Sequence, residues 1–259
     1  MCMKVAVLIS GEPRFCTNFD KFMECIKNYN QVDYYIYIWK HNPQEYAVKN
    51  MKLIGDPWIT VDYNWALKTL KKHIIQPNHS LKTFKLGNQE DFPEPVIDVP
   101  KADETRPRNV WYMHNAWDQV NKLKIQQEQN ENFKYDLVIN GRSDLNIGVD
   151  LDCSKLIEIC KAKNPCVLTP DNNLYGHNIY PPMSDIFALG TSESMDAYMD
   201  IAQSYNKYLK KSRIFFHPET WLAHHLRRKQ ITDIKYEFKT FLRPKKRPKF
   251  FQNDFTGWE

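Results

Sequence analysis

Apolar positions along this chain follow two rhythms. Short continuous runs stand at Lys4–Ser10 (KVAVLIS), Asp33–Trp39 (DYYIYIW), Tyr135–Ile139 and Cys166–Thr169, with the length and β-branched or aromatic content of buried strands. Between them apolar residues recur at helical spacing. Phe19, Phe22, Met23 and Ile26 stand at i, i+3, i+4 and i+7 in a helix opened by Thr17. Met113, Ala116, Trp117, Val120 and Leu123 mark one face of a long helix that Asn109 caps. A helix over Ser154–Lys161 follows, then strand Asp185–Leu189. Thr191 caps another helix, with Glu193 and Asp196 in its early turns and Met195, Tyr198 and Met199 inward. His217-Pro218-Glu219 opens a last helix running to about Arg228, where Pro218 suits the first turn. Ile231–Phe241 reads as a final strand.

Strand–helix–strand order at the start favours parallel pairing through a right-handed crossover. The alternation as a whole predicts one α/β domain over residues 1–243, a mostly parallel central sheet flanked by helices. The segment 41–108 breaks the pattern. It holds seven prolines, a mixed helix candidate from Trp65 to Lys72 and a polar stretch from Gly87 to Thr105, and reads as a long irregular insertion. Residues 244–259 read as a basic C-terminal tail.

Composition narrows the function classes. The 8 glycines leave little room for a Gly-rich phosphate loop, and neither GxGxxG nor a Walker A sequence occurs. The six cysteines form no CxxC pair and no zinc-type Cys/His spacing, so they read as reduced thiols. The opening Met-Cys-Met-Lys leads into a strand rather than a signal peptide, and no apolar run approaches the length of a membrane span. The expectation is a soluble, cytoplasmic protein. Aromatic residues make up 14%; they often line sugar or base sites, though core packing is their commoner role. The net charge of +5 is mild, and much of the excess lies in Lys239, Arg243, Lys245, Lys246, Arg247 and Lys249. This stretch admits three readings: a solvated tail, an arm that grips phosphate over an active site, or a surface for nucleic acid or membrane.

Four clusters carry candidate chemistry, all at expected strand ends or helix starts. The most informative is Asn140-Gly141-Arg142-Ser143-Asp144, just past a buried strand, where open α/β sheets place ligands. Arg142 suits a phosphate and Asp144 a divalent cation; the competing reading is a surface salt bridge. Ser10-Gly11-Glu12-Pro13-Arg14 ends the first strand, where backbone N–H groups and Arg14 would meet a nucleotide, or it is a tight turn with a solvated Arg14. Asp185 begins an otherwise apolar strand after a stretch, Tyr175 to Tyr180, rich in groups that stack on and bind sugars; otherwise it is a strand-start cap. Glu219 lies in a first helical turn, whose dipole favours the ionised form. From there it can take a proton from an acceptor hydroxyl, or it only complements the dipole. His217 beside it is a candidate metal ligand or phosphate contact, while His224 and His225 read as structural or exposed. No GxSxG elbow and no HExxH motif occurs.

The set KVAVLISGEPR, VDYYIYIW, YDLVINGRSDLNI, SDIFALGTSESMDAY and HPETWLAHHL resembles nucleotide-sugar glycosyltransferases of GT-A type found in large algal DNA viruses and marine phages, with related proteins in bacteria. The likeness spans most of the chain apart from the insertion and the tail. It implies a GT-A fold with a Rossmann-like nucleotide-binding half, a nucleoside-diphosphate sugar donor, a glycan hydroxyl as acceptor, and Mn²⁺ or Mg²⁺. A UDP-sugar is the first donor, with UDP-xylose one option, and a viral protein of this kind would work in the host cytoplasm on capsid glycans. In that family an Asp-x-Asp motif holds the metal on the diphosphate. Here the place reads Arg142-Ser143-Asp144, so Asp144 carries over as the metal-side residue and Arg142 takes the place of an acid. Glu219 matches the position of the base in inverting members, and Asp185 would position donor or acceptor hydroxyls. The alternative is a non-catalytic nucleotide- or nucleic-acid-binding protein that uses the basic C-terminus; with the transferase reading, no nucleic-acid partner is expected.

Overall fold

The computed structural model describes residues 3–13, 22–26, 31–40, 63–74, 78–95, 107–171, 183–211, 216–238 and 240–242. Arg14, the start of the helix from Thr17, the stretch 175–180, Cys2, Cys16, Arg243 and the tail 244–259 lie outside them.

The apolar runs become strands buried on both faces. β1 (Lys4–Gly11) and β2 (Gln31–Trp39) are buried along nearly their whole length. β3 (His79–Gly87), β4 (Leu137–Gly141), β6 (Cys166–Pro170), β7 (Ala188–Gly190) and β8 (Thr232–Tyr236) complete a seven-stranded sheet in the order β3-β2-β1-β4-β7-β6-β8. β3, β2, β1 and β4 pair in parallel, as do β6 and β8, while β7 runs antiparallel to both neighbours. A separate antiparallel pair joins β5 (Leu145–Ile147) to β9 (Thr240–Leu242).

Helices cover both faces, as a sheet with two apolar faces requires. They are α1 (Tyr63–Ile74), α2 (Pro107–Glu131), α3 (Cys153–Ala162), α4 (Ser192–Met199), α5 (Tyr205–Lys211) and α6 (Pro218–Arg228). Val5, Val7 and Ile9 of β1 point into one layer with Phe22, Leu70 of α1 and Leu156 of α3. Ala6 and Leu8 point into the other with Trp117 of α2, Tyr198 of α4 and Leu222 of α6. The period of two along β1 thus sorts its side chains between two cores. The mostly parallel, helix-flanked α/β sheet expected from the alternation is present.

Several expectations need correction. The segment 41–108 is not irregular throughout: the helix candidate Trp65–Lys72 lies within α1, as expected, but the outer strand β3 was not foreseen. The long helix begins at Pro107, so Asn109 lies inside its first turn rather than capping it. Residues 231–241 make two strands with a break. Asp185 precedes a shorter strand, β7, instead of beginning it. The four described cysteines, Cys25, Cys153, Cys160 and Cys166, are buried thiols in no disulfide.

A charged group is buried where the parallel strands begin. Lys124 of α2 is fully buried, and its Nζ donates to Ser192 Oγ (2.5 Å) and Asp196 Oδ1 (2.7 Å) and pairs with Glu128 Oε2 at 3.1 Å. Glu128 also accepts from Ser192 Oγ (2.6 Å), from the Tyr135 backbone N–H (3.0 Å) and from Lys134 Nζ (3.0 Å). Burial opposes ionisation of Glu128, but these donors outweigh it and hold the carboxyl below the usual range. Tyr135 leads into β4 and Ser192 follows the reversed strand β7, so this network ties α2 and α4 to one end of the sheet.

Candidate active site at the carboxyl end of the sheet

The chain passes from β1 to β2 and β3 on one side, then returns to place β4 on the other side of β1. This reversal of strand order falls at the carboxyl ends of β1 and β4, the usual ligand position in such sheets. Register sets Ile9 opposite Gly141, so the two loops that follow are neighbours. Ser143 Oγ donates to the Glu12 carbonyl at 3.2 Å and ties them together. Gly11 has φ +106°, a conformation that favours glycine, and this turns the chain out of β1. At Gly141 a Cβ would come within 2.9 Å of the Phe22 ring, so a bare backbone is what lets β4 end there.

Beyond Gly141 the chain makes a turn closed by the Leu145 N–H donating to the Arg142 carbonyl at 3.2 Å. Arg142 and Asp144 face each other across it. Nε donates to Oδ1 and Nη2 to Oδ2, both at 2.9 Å, a bidentate fork. The Arg142 side chain is 21% exposed and that of Asp144 1%.

Antiparallel pairing of β7 with β4 explains how Asp185 joins them. Asn140 is opposite Ala188, so residues before Ala188 run beside those after Asn140. Tyr198 of α4 fixes this approach by donating its hydroxyl to the Ser184 carbonyl at 2.8 Å. Burial holds the Asp185 carboxyl above its usual range, and the Arg142 guanidinium opposes that shift.

Glu219 stands in the first turn of α6, which starts at this end of the sheet because the helix must run back before β8 begins. The helix start does not leave it ionised, as the sequence alone would have it. Burial, then the charge of Asp185, push its carboxyl up to about 8, with Lys235 opposing. Its Oε2 atom is buried and accepts no hydrogen bond among the described residues. His217 precedes α6 as its N-cap, with no side-chain capping bond.

Ser10, Gly11, Glu12, Arg142, Asp144, Asp185 and Glu219 therefore gather at one end of the sheet. Glu12 is engaged there, its Oε1 accepting from Gln89 Nε2 at 2.9 Å. The sequence pattern left Lys235 unnoticed and gave Asn140 no role of its own. Lys235 of β8 lies 2.8 Å from Asp233 and donates to Thr169 Oγ1 at 3.1 Å. The alternation Asp233-Ile234-Lys235, two charges on one side of a strand, was the available signal. Asn140 interrupts the apolar face of β4, and its Oδ1, like Ser10 Oγ and Thr220 Oγ1, is buried without a partner among the described residues.

Each Asp144 oxygen accepts one hydrogen bond from Arg142, so a cation there would share the carboxylate with that guanidinium. Among the described residues no group of three or more His, Cys, Asp or Glu is arranged to hold a metal ion. No model of a known protein family matches the sequence, and no curated protein matches it either. No helix of the described residues is long and apolar enough to cross a membrane.

Proposed function

We propose that this chain is a GT-A-like glycosyltransferase of the kind the sequence resembles. It would move a sugar from a nucleoside-diphosphate sugar, with UDP-sugars the first donors, to a hydroxyl of a glycan acceptor. The observation that carries the reading is the meeting of a guanidinium, Arg142, with two carboxyl groups of raised pKa, Asp185 and Glu219, at the strand-order reversal of an α/β sheet. A diphosphate needs the first, and an attacking hydroxyl needs a base of the second kind.

In this reading the nucleotide lies against the Ser10–Glu12 turn. Arg142 faces the diphosphate and stabilises the charge that develops as the bond to the sugar breaks. Asp185 orients hydroxyls of donor or acceptor. The acceptor oxygen forms its bond to the anomeric carbon as the bond to the diphosphate breaks. The electron pair leaves with the diphosphate, and the hydroxyl proton passes to ionised Glu219. Attack opposite the leaving group inverts the centre. A carboxyl near 8 is a stronger base once ionised than an ordinary one and still ionises near neutral pH.

The test is a thermal-shift screen against nucleoside diphosphates and their sugars, followed by a transfer assay whose product is analysed by NMR. A ligand at about a hundred times its Kd stabilises by roughly 2.7 kcal/mol, enough to detect. Selective stabilisation by one nucleotide class, and a product of inverted configuration, are expected. Indifference to every nucleotide sugar would overturn the proposal.

A further inference from the structure

Alternation along the strands gives the carboxyl end of the sheet two unlike faces. Ile9, Ile38, Ile139 and Leu189 point into the layer that holds Phe22 and Leu156, and all are apolar. Leu8 and Val138 point the other way, into the layer of α6. With a period of two, Ser10 and Asn140 follow them onto that face. Register sets Asn140 beside Leu8 of β1 and Ala188 of β7, in the middle of the sheet. Thr220, in the first turn of α6, is buried like Asn140, each being 1% exposed. Asn140 Oδ1 and Thr220 Oγ1 have no hydrogen-bond partner among the described residues, and buried atoms of this kind cost stability. Thr169, on the same face but farther from β1, shows the alternative. Its Oγ1 donates to Asp233 at 2.6 Å and accepts from Lys235 at 3.1 Å.

Asn140 is two residues before Arg142, and Thr220 is next to Glu219. The charge of Arg142 acts on Asp185 and that of Asp185 on Glu219, so the three stand close together. Provided the chain is the transferase proposed above, the donor's sugar ring lies between its diphosphate at Arg142 and the attacking hydroxyl at Glu219. The orphaned atoms suit such a ring. An amide oxygen only accepts, whereas a threonine hydroxyl donates and accepts. A sugar hydroxyl can donate to the first and bond either way with the second. An ionised phosphate has only acceptors and would leave the amide oxygen unmatched. A nucleobase would need an open aromatic face, and Trp39 on this side of the sheet is fully buried against Tyr37, Phe92 and Tyr112. We propose that Asn140 and Thr220 are specificity-determining residues for the donor sugar, hydrogen-bonding hydroxyls of an uncharged monosaccharide ring held on the α6 side of the sheet. A buried group paired with a substrate hydroxyl discriminates against a sugar that lacks it, because the group is then left unpaired.

The experiment is calorimetric titration of the full chain, with Mn²⁺ present, using UDP, UDP-glucose, UDP-galactose and UDP-xylose, and GDP, GDP-mannose and GDP-fucose. On the nucleotide that binds, affinities should differ among sugars by about tenfold or more. Thr220→Val keeps the side-chain shape and removes the hydroxyl. It and Asn140→Ala should each weaken the preferred conjugate by about ten- to a hundredfold and narrow the spread among sugars, with a much smaller change for the bare diphosphate. Asn140→Ala opens a small cavity, so Thr220→Val decides the matter if that variant does not fold. Without ligand, the urea midpoint of Thr220→Val should equal or exceed the parent's, because the hydroxyl it removes leaves no partner stranded. A lower midpoint assigns that hydroxyl to the fold and overturns its role in sugar recognition. Variants that keep the parent's preference, or a parent that binds every conjugate alike, overturn the assignment and leave the transferase reading standing. Failure of every conjugate overturns the two together.

Discussion

The two ends of the sheet treat buried charge in opposite ways. Where the parallel strands begin, Lys124, Glu128, Asp196 and Ser192 saturate one another, and Glu128 stays ionised despite burial. Where they finish, Ser10 Oγ, Asn140 Oδ1, Thr220 Oγ1 and Glu219 Oε2 are buried without partners among the described residues, and Glu219 is held protonated. Satisfied networks fix elements in place, whereas unsatisfied buried groups cost stability and persist at sites that use them. One end is built for the fold and the other has the character of a binding site.

The largest effect expected is on turnover at the finishing end. Glu219→Gln should reduce kcat by about 10²- to 10⁴-fold, the range for loss of a general base, while the protein stays folded by circular dichroism. A mutant with near-normal turnover would remove Glu219 from the chemistry and weaken the contrast. Next comes Lys124→Met, which leaves Glu128 and Asp196 without their central cation. Breaking a buried pair costs about 3–5 kcal/mol, read as a fall in the urea midpoint, and nucleotide binding by the folded fraction should not change.

The pH dependence divides the two ends by sign. Glu219 is protonated in the folded protein up to about 8, whereas its reference value is 4.5. Across that window the unfolded chain has lost a proton the folded chain keeps, so stability falls as pH rises, at up to about 1.4 kcal/mol per unit. Glu128 is the reverse: its folded value is depressed, so its contribution is present above the unfolded value and is lost as pH falls. Urea titrations over a pH series should show Glu219→Gln flattening the alkaline limb and Glu128→Gln the acid limb. A smaller effect is expected for Asp185→Asn. With that negative charge gone, Glu219 should ionise at lower pH and the rising limb of kcat/KM should move to lower pH. An unmoved limb would show that the two carboxyls do not sense each other.

This division was only half legible in the sequence. The strands with continuous apolar runs and the helices with strong start signals, such as Thr191 before α4 and Pro218 at the start of α6, lie close to where their residues place them. Those signals are local, and local signals survive folding. β3 was hidden because an edge strand has one exposed side and alternates lysines with apolar residues, which in a proline-rich context reads as loop. The candidate site was legible as four separate turns, since each follows a strand or opens a helix. Their electrostatics were not. Glu219 looks ionised from its place in a first turn, yet burial and Asp185 reverse that. The bidentate fork from Arg142 to both Asp144 oxygens could not be told from two charges spaced two residues apart. Lys124 and Glu128 look like an ordinary exposed i, i+4 pair, and only the packing of α4 over α2 shuts them away from water.

The outer strand β3 bears on a different risk, that of molecules joining strand to strand. Among the described residues it is the last strand on its side of the sheet, with its free edge open to another chain. Lys82 and Lys85 are exposed along it, and Lys82 is drawn toward Asp33 of β2 at 3.8 Å. A second copy adding a strand here would have to desolvate both ammonium groups against its own backbone. The lysines that concealed β3 in the sequence thus serve as gatekeepers, and a chain with both replaced by threonine should aggregate at concentrations where the parent remains dispersed.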